Sequence, residues 1–360
     1  MIRVVSGGGR AREWLARYRG LKPAFVLVLG FTDTCLIEGI SAAGATPASR
    51  KTTAIADAEF LYWGRNVYFP LPPLIAGASP VVISRAVVQE LGLPLYIFDS
   101  GLPQPPTVPT IGLGGAPSRC LSTGRAQDWA TVDHLFQKGL EWGKKLAAAH
   151  PYLVLSECVA GGTTTALAVL TALGIDAHSK VSSSHPICNH QQKWAVVQQG
   201  LARSVNLRTR DPSTIVAAVG DPMQPVIAGM TIGASSYGGV LLGGGSQMVA
   251  VYVLAQKLAE YYGLPWQPDR VVVGTTRWVV DDPSCQLAEL ATELDIPLVC
   301  SELHFRDARY PQLQCYEQGF VKEGVGAGAS AIVSHLYAQW SQAKLVQEIE
   351  TTFAQGVLKD

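Results

Sequence analysis

Apolar and polar positions alternate in blocks along this chain, and most blocks have the length of one strand or one helix. The strand-length runs are Ala24–Gly30 (AFVLVLG), Pro94–Asp99 (PLYIFD), Tyr152–Ser156 (YLVLS), Val240–Gly243, Arg270–Gly274 and Pro297–Ser301. Each is almost continuously apolar, as expected of strands covered on both faces. Helical patterns lie between them. Gln127–His150 is a long amphipathic stretch, and Gln191–Arg203 puts Trp194, Val197 and Leu201 on one face. Thr163–Leu173, Ala250–Tyr262, Pro283–Leu294 and most of Val325–Gln355 also read as helices. Ser79-Pro80, Asp211-Pro212 and Asp282-Pro283 each set a capping side chain before a proline, a pairing that opens helices.

Strands alternating with helices specify an α/β fold, a mostly parallel Rossmann-like sheet with helices on both faces. The terminal regions are richer in helical pattern. The expectation is a large α/β domain over residues 75–305, with residues 1–74 and 306–360 forming a smaller, helix-rich subdomain packed on it. Gly39–Arg50 is small and polar and reads as a mobile loop. Phe69–Ala78 reads as a linker or an irregular pocket wall, and Pro103–Ser118, with five prolines, as a long loop.

Composition narrows the classes of function. Only 16% of residues are charged, and 28 Lys+Arg balance 28 Asp+Glu, so no basic surface points to nucleic acid or an anionic membrane. Seven cysteines without a C-x-x-C pair argue for reduced thiols and a cytoplasmic protein. The start, MIRVVSGGGRAREW, lacks an apolar core of signal-peptide length. Pro222–Gln256 carries no charge but is interrupted by Gln224, Pro225 and two glycine clusters. It reads as buried helix, turn, buried strand, glycine turn and buried helix rather than as a membrane span.

The candidate chemistry centres on Tyr152–Gly174. A strand ends at Glu157, Gly161 and Gly162 permit a sharp turn, and Thr163 and Thr164 open a helix whose N-terminus can seat an anion. The lysine of a nucleoside-triphosphate loop is missing there. Gly324, Gly326 and Gly328 do not form a dinucleotide fingerprint. His185, Cys188 and His190 match no common zinc spacing, so no metal site is assigned. Glu323 precedes a glycine-rich helix entry, where it can serve a ligand or simply complement the helix dipole.

Three of these stretches recur together in one family. The chain resembles nicotinate-nucleotide:dimethylbenzimidazole phosphoribosyltransferases. Ser156-Glu157-Cys158-Val159-Ala160-Gly161-Gly162-Thr163-Thr164 stands where that family has G-E-M-G-I-G-N-T-T, and Lys322-Glu323-Gly324-Val325-Gly326-Ala327 where it has G-E-G-T-G-A. Val219–Met230 and Val240–Gly244 resemble its glycine-led helix entry and the following strand, and Lys193 falls at a family lysine. The likeness runs with gaps from about Ser79 to the C-terminus. Val159, Gly162 and Lys322 depart from the motifs, which marks a divergent branch.

The resemblance implies phosphoribosyl transfer from nicotinate mononucleotide to an aromatic base, either a benzimidazole or a purine such as adenine, without a cofactor. It implies Glu323 as general base and Glu157 as a second carboxylate that orients the ribose or stabilises positive charge. Gly161, Gly162, Thr163, Thr164 and Lys193 would hold the phosphate, Gly324 and Gly326 would close on the nucleotide, and the protein would be a homodimer. A catalytically silent nucleotide- or base-binding protein and a different pentosyl transferase remain open as alternatives at this point.

Overall fold

The apolar runs assemble into one eight-stranded sheet. In the computed structural model, which describes residues 1–65, 67–205 and 211–358, the strands are β1 (Ile2–Ser6), β2 (Ala24–Leu29), β3 (Leu95–Asp99), β4 (Ile111–Gly112), β5 (Tyr152–Cys158), β6 (Gly239–Gly243), β7 (Val271–Thr276) and β8 (Leu298–Ser301). Their order is β1-β8-β7-β6-β5-β2-β3-β4. All neighbours pair in parallel except β1, which lies antiparallel on the β8 edge. From β2 the chain winds outward to β3 and β4. It then returns to β5 and winds the other way to β8. The switch point is therefore the junction of β2 and β5, where open α/β sheets bind ligands beyond the strands' C-terminal ends.

Alternation along the strands separates two cores. Ala24, Val26 and Val28 of β2 and Leu153 and Leu155 of β5 face one side, with helices Trp129–Ala147, Gly162–Ala172, Met223–Ser235 and Ser246–Tyr262. Phe25, Leu27 and Leu29 of β2 and Tyr152 and Val154 of β5 face the other. Helices Gly8–Tyr18, Thr53–Trp63, Val81–Glu90, Ala327–Leu336 and Gln342–Gly356 cover that side. The terminal regions supply four of these five helices, while Val81–Glu90 comes from outside them. β1 and β2 also come from residues 1–74, so a boundary at residue 75 cuts across the sheet.

Several local expectations are corrected. No helix starts at Pro283: the Asp282 Oδ1 accepts from Ser284 N (2.9 Å) and Oγ (2.7 Å) in a local turn, its Oδ2 pairs with Lys322, and the helix there is Leu287–Glu293. Val325–Gln355 is two helices, broken after Leu336 with Gln339 at φ 54°. The segment read as a mobile loop wraps around Arg50, whose Nε donates to Cys35 O (2.6 Å). Its Nη1 donates to Ser41 O (2.8 Å) and Gly44 O (3.2 Å), and its Nη2 to Ile37 O (3.1 Å). The uncharged stretch from Pro222 folds as expected, into helix, strand β6 and helix. No helix among the described residues is long and apolar enough to cross a membrane.

Candidate active site

A cleft opens at the switch point, beyond the ends of β5, β6 and β7. Its floor begins where β5 ends. Gly161 takes φ 81° and caps the next helix, and a Cβ on it would lie 3.2 Å from the Cys35 backbone that follows β2. Gly162 is a close approach: a Cβ there would meet the Gln247 amide at 1.9 Å. Gly161, Gly162 and Thr163 line the cleft together with Ser182, Ser183, Ser184 and Ser246. Thr164 does not; it is buried in the helix.

Glu157 and Glu323 both line this cleft, and each is partly exposed to it while otherwise enclosed by protein. Glu323 is held by four donors. Its Oε2 accepts from Thr275 Oγ1 and Thr276 N, each at 2.9 Å, and its Oε1 from Gly324 N and Gly328 N, each at 3.1 Å. Burial raises its pKa, against the pull of these donors. Glu157 has one backbone donor, Val159 N at 2.9 Å. Burial pushes its pKa up to about 8, and the nearby Asp221 and Glu323 carboxylates add to the rise. At neutral pH Glu157 is therefore mostly protonated.

Glu323 sits on an unusual loop. Val321 (φ 69°), Lys322 (φ 61°) and Val325 (φ 51°) are left-handed, a conformation that costs β-branched residues most. The loop turns the Lys322 side chain inward, where it is 1% exposed and bonds Asp282, while the residue also lines the cleft. Burial alone would raise the Asp282 pKa, but Lys322 and Ser284 hold it below the usual carboxylate value.

Lys193, expected at the phosphate, does not line the cleft. It is fully buried and donates to Ser182 O at 2.5 Å, so it backs the serine wall rather than forming it. Burial pushes its amine down to about 8. Gly324 lines the cleft, while Gly326 packs behind it against Ser156. His185 and His190 bond Gly39 O and Ser284 O, and Cys188 lies 3.5 Å from Asp282 Oδ2.

Sequence reasoning missed Asp57, which is 4% exposed yet lines the cleft. A signal was available, since Asp57 and Glu59 are the only acids in an otherwise apolar run from Ala54 to Trp63. In sequence Lys322 reads as a departure from a glycine and as a charge adjoining Glu323, not as part of the cleft wall.

This is a doubly wound α/β protein with an acidic, glycine-edged cleft at its switch point. The family model described as Phosphoribosyltransferase (DBI_PRT) matches residues 82–263. A UPF0284 protein of Cyanothece is 61% identical over 354 residues, covering 97% of this chain and 96% of that protein. One of Nostoc is 55% identical over 375 residues, covering 97% and 98%. Two crystal structures from Thermus thermophilus share the fold, each with a TM-score of 0.60 and 19% identity. One is titled CobT and is matched over 95% of this chain and 89% of its own. The other is titled nicotinate-nucleotide-dimethylbenzimidazole phosphoribosyltransferase and is matched over 98% and 91%. The chain belongs to this phosphoribosyltransferase family, in a branch with the cyanobacterial UPF0284 proteins, and its reaction class is phosphoribosyl transfer.

Proposed function

We propose that the protein moves the 5-phosphoribosyl group of nicotinate mononucleotide onto a ring nitrogen of a benzimidazole or purine base, giving the nucleotide used as a cobamide lower ligand. The observation that carries this reading is the pair of carboxylates, Glu157 and Glu323, in one cleft beside the Gly161–Thr163 turn. A lone pair on the base nitrogen forms the new bond to C1′. The C1′–N bond of the cationic pyridinium breaks, and its electrons leave with nicotinate. The other imidazole nitrogen of the base then gives its proton to Glu323.

The four donors pull against the effect of burial and hold the Glu323 carboxyl in one place, as a general base requires. A mostly protonated Glu157 is suited to donate to a ribose oxygen rather than to accept the proton. The 5′-phosphate would sit at the Gly161–Thr163 helix start and the serine wall, with Lys193 supporting that wall through Ser182. The chemistry requires no cofactor.

We also propose a homodimer, working in the cytoplasm. Trp63, Tyr68 and Ile75 are exposed on a segment whose Pro72 and Leu74 reach the cleft, so a second copy would shield apolar surface beside the site. Light scattering at micromolar concentration should give twice the chain mass; a monomer would count against the dimer. The reaction is tested by mixing protein, nicotinate mononucleotide and a base, and following nicotinate. Release that depends on the added base is expected. Failure with every benzimidazole and purine tried would defeat the reading.

A further inference from the structure

Two acids on helix Thr53–Trp63 are buried, and they differ in what they hold. Glu59 accepts from Phe69 N (2.8 Å), Thr107 N (3.0 Å) and Thr107 Oγ1 (2.7 Å), so it ties two loops to the helix. Asp57 accepts only from the Ser79 hydroxyl (2.7 Å, on Oδ1) and the Cys158 thiol (3.3 Å, on Oδ2). No Lys, Arg or His among the described residues lies within 4.0 Å of it in an ion pair. A carboxylate has about four acceptor sites, so two of Asp57's have no protein donor. Leaving buried acceptors unmatched is costly, and a ligand donor that matches them is correspondingly selected.

The position of Asp57 says which part of the ligand it meets. Ser79, whose hydroxyl bonds Asp57, lines the cleft, and the neighbouring Pro80 lies close to Gly324, beside Glu323. Pro72, Leu74 and Val321 add uncharged apolar lining of the kind a flat aromatic ring needs. The glycine turn and the serine wall bring hydroxyls and a helix start to the same cleft. Cys158, which touches Asp57, directly follows Glu157, so a ring reaching Asp57 also lies close to the carboxylates.

Resting on the phosphoribosyl-transfer reading, we infer that Asp57 selects the acceptor. The base is an aminopurine-type ring that presents an N–H donor on its six-membered edge to the Asp57 carboxylate, rather than a ring with only methyl groups there. Methyls facing Asp57 would bury its oxygens without a donor, whereas an exocyclic amino group supplies one. Burial pushes the Asp57 carboxyl up only to about 6, so it is ionised and able to accept at neutral pH.

The test compares adenine, unsubstituted purine and 5,6-dimethylbenzimidazole as acceptors at pH 7.5, on the wild-type protein and on Asp57→Asn. In the wild type, kcat/KM should favour adenine over purine by roughly 10- to 100-fold, the range expected when a buried acceptor gains or lacks its donor. Asp57→Asn should bring that ratio to within a few fold. A wild-type ratio near one, or a ratio unchanged in Asp57→Asn, overturns the inference and leaves phosphoribosyl transfer standing. The wild-type comparison holds even if the variant fails to fold. If no base releases nicotinate, the reaction reading is the part that fails. Calorimetry with adenine alone then decides the rest: tighter binding than purine, lost in Asp57→Asn, upholds the role of Asp57, and equal or absent binding ends it.

Discussion

Glu323 and Glu157 share a side chain and a cleft, yet their surroundings assign them different work. Glu323→Gln keeps the shape and the bonds to Thr275 and Thr276 but removes the basicity, so kcat should fall by about 10²-fold or more. Glu157→Gln imitates a group that is already protonated at pH 7, so the same change there should cost less than about tenfold. The distinction sharpens with pH. As pH rises through about 8, wild-type Glu157 loses its proton, and with it the ability to donate; kcat/KM should decline there. In Glu157→Gln that limb should be absent. A decline at the same pH in both proteins would remove Glu157 from this role. Both glutamates were readable because glycine turns flank them. The lysines were not separable by motif: Lys193 aligns with the family but supports a carbonyl, while Lys322, in a glycine's place, reaches the cleft wall. Which cation faces a cavity depends on loop conformation, and the left-handed backbone at Val321, Lys322 and Val325 is not encoded in residue type.

At the scale of elements, the interior strands and most of the long helices were legible because each is a continuous apolar or amphipathic run, Val325–Gln355 being the exception that breaks in two. The misses share one cause, which is that tertiary partners decided them. β1 (IRVVS) is short and only partly buried, and it pairs antiparallel with β8 at the edge of the sheet. Helix Thr53–Trp63 is buried nearly all round, so it has no polar face to mark its period. The segment following Ile37 looks like loop in sequence, and it is loop, but Arg50 gives it a fixed path. Arg50→Met keeps the aliphatic stem and strips every donor from the Cys35, Ile37, Ser41 and Gly44 carbonyls. The expected loss is about 2–4 kcal/mol of stability, readable as a lower urea midpoint. Because Ser41, Ala42 and Ala43 line the cleft, KM for the nucleotide should rise as well. An unchanged midpoint would show that the loop holds its path without the guanidinium.

For the whole molecule, the winding order placed the site before any side chain was considered, since the chain reverses between β2 and β5 and the cleft opens there. Gathering acids at that point has a consequence for stability. Glu157 is raised to about 8 in the folded protein, and Asp57 and Asp221 to about 6, while carboxyls in the unfolded chain titrate near 4. Between those values the folded state binds more protons than the unfolded one, so stability falls as pH rises from about 4 to about 8. Asp282 has the opposite sign. Its pKa is depressed by Lys322, so its contribution is present above about 4 and is lost as pH falls through the lower folded value. Together they place maximum stability on the mildly acidic side, with a decline toward pH 8. Lys193 does not change this slope: its amine is held near 8, so the cost of charging it is the same at every lower pH and is relieved only as pH rises above about 8. The unliganded protein should therefore have a Tm several degrees higher at pH 5.5 than at pH 8, by calorimetry in matched ionic strength. Glu157→Gln takes away the widest of the three windows, so its profile should be flatter and its Tm at pH 8 above wild type. A wild-type Tm that is level or rising across this range would mean that the three acids are solvated in the cleft, and the protonated state assigned to Glu157 would fall with them.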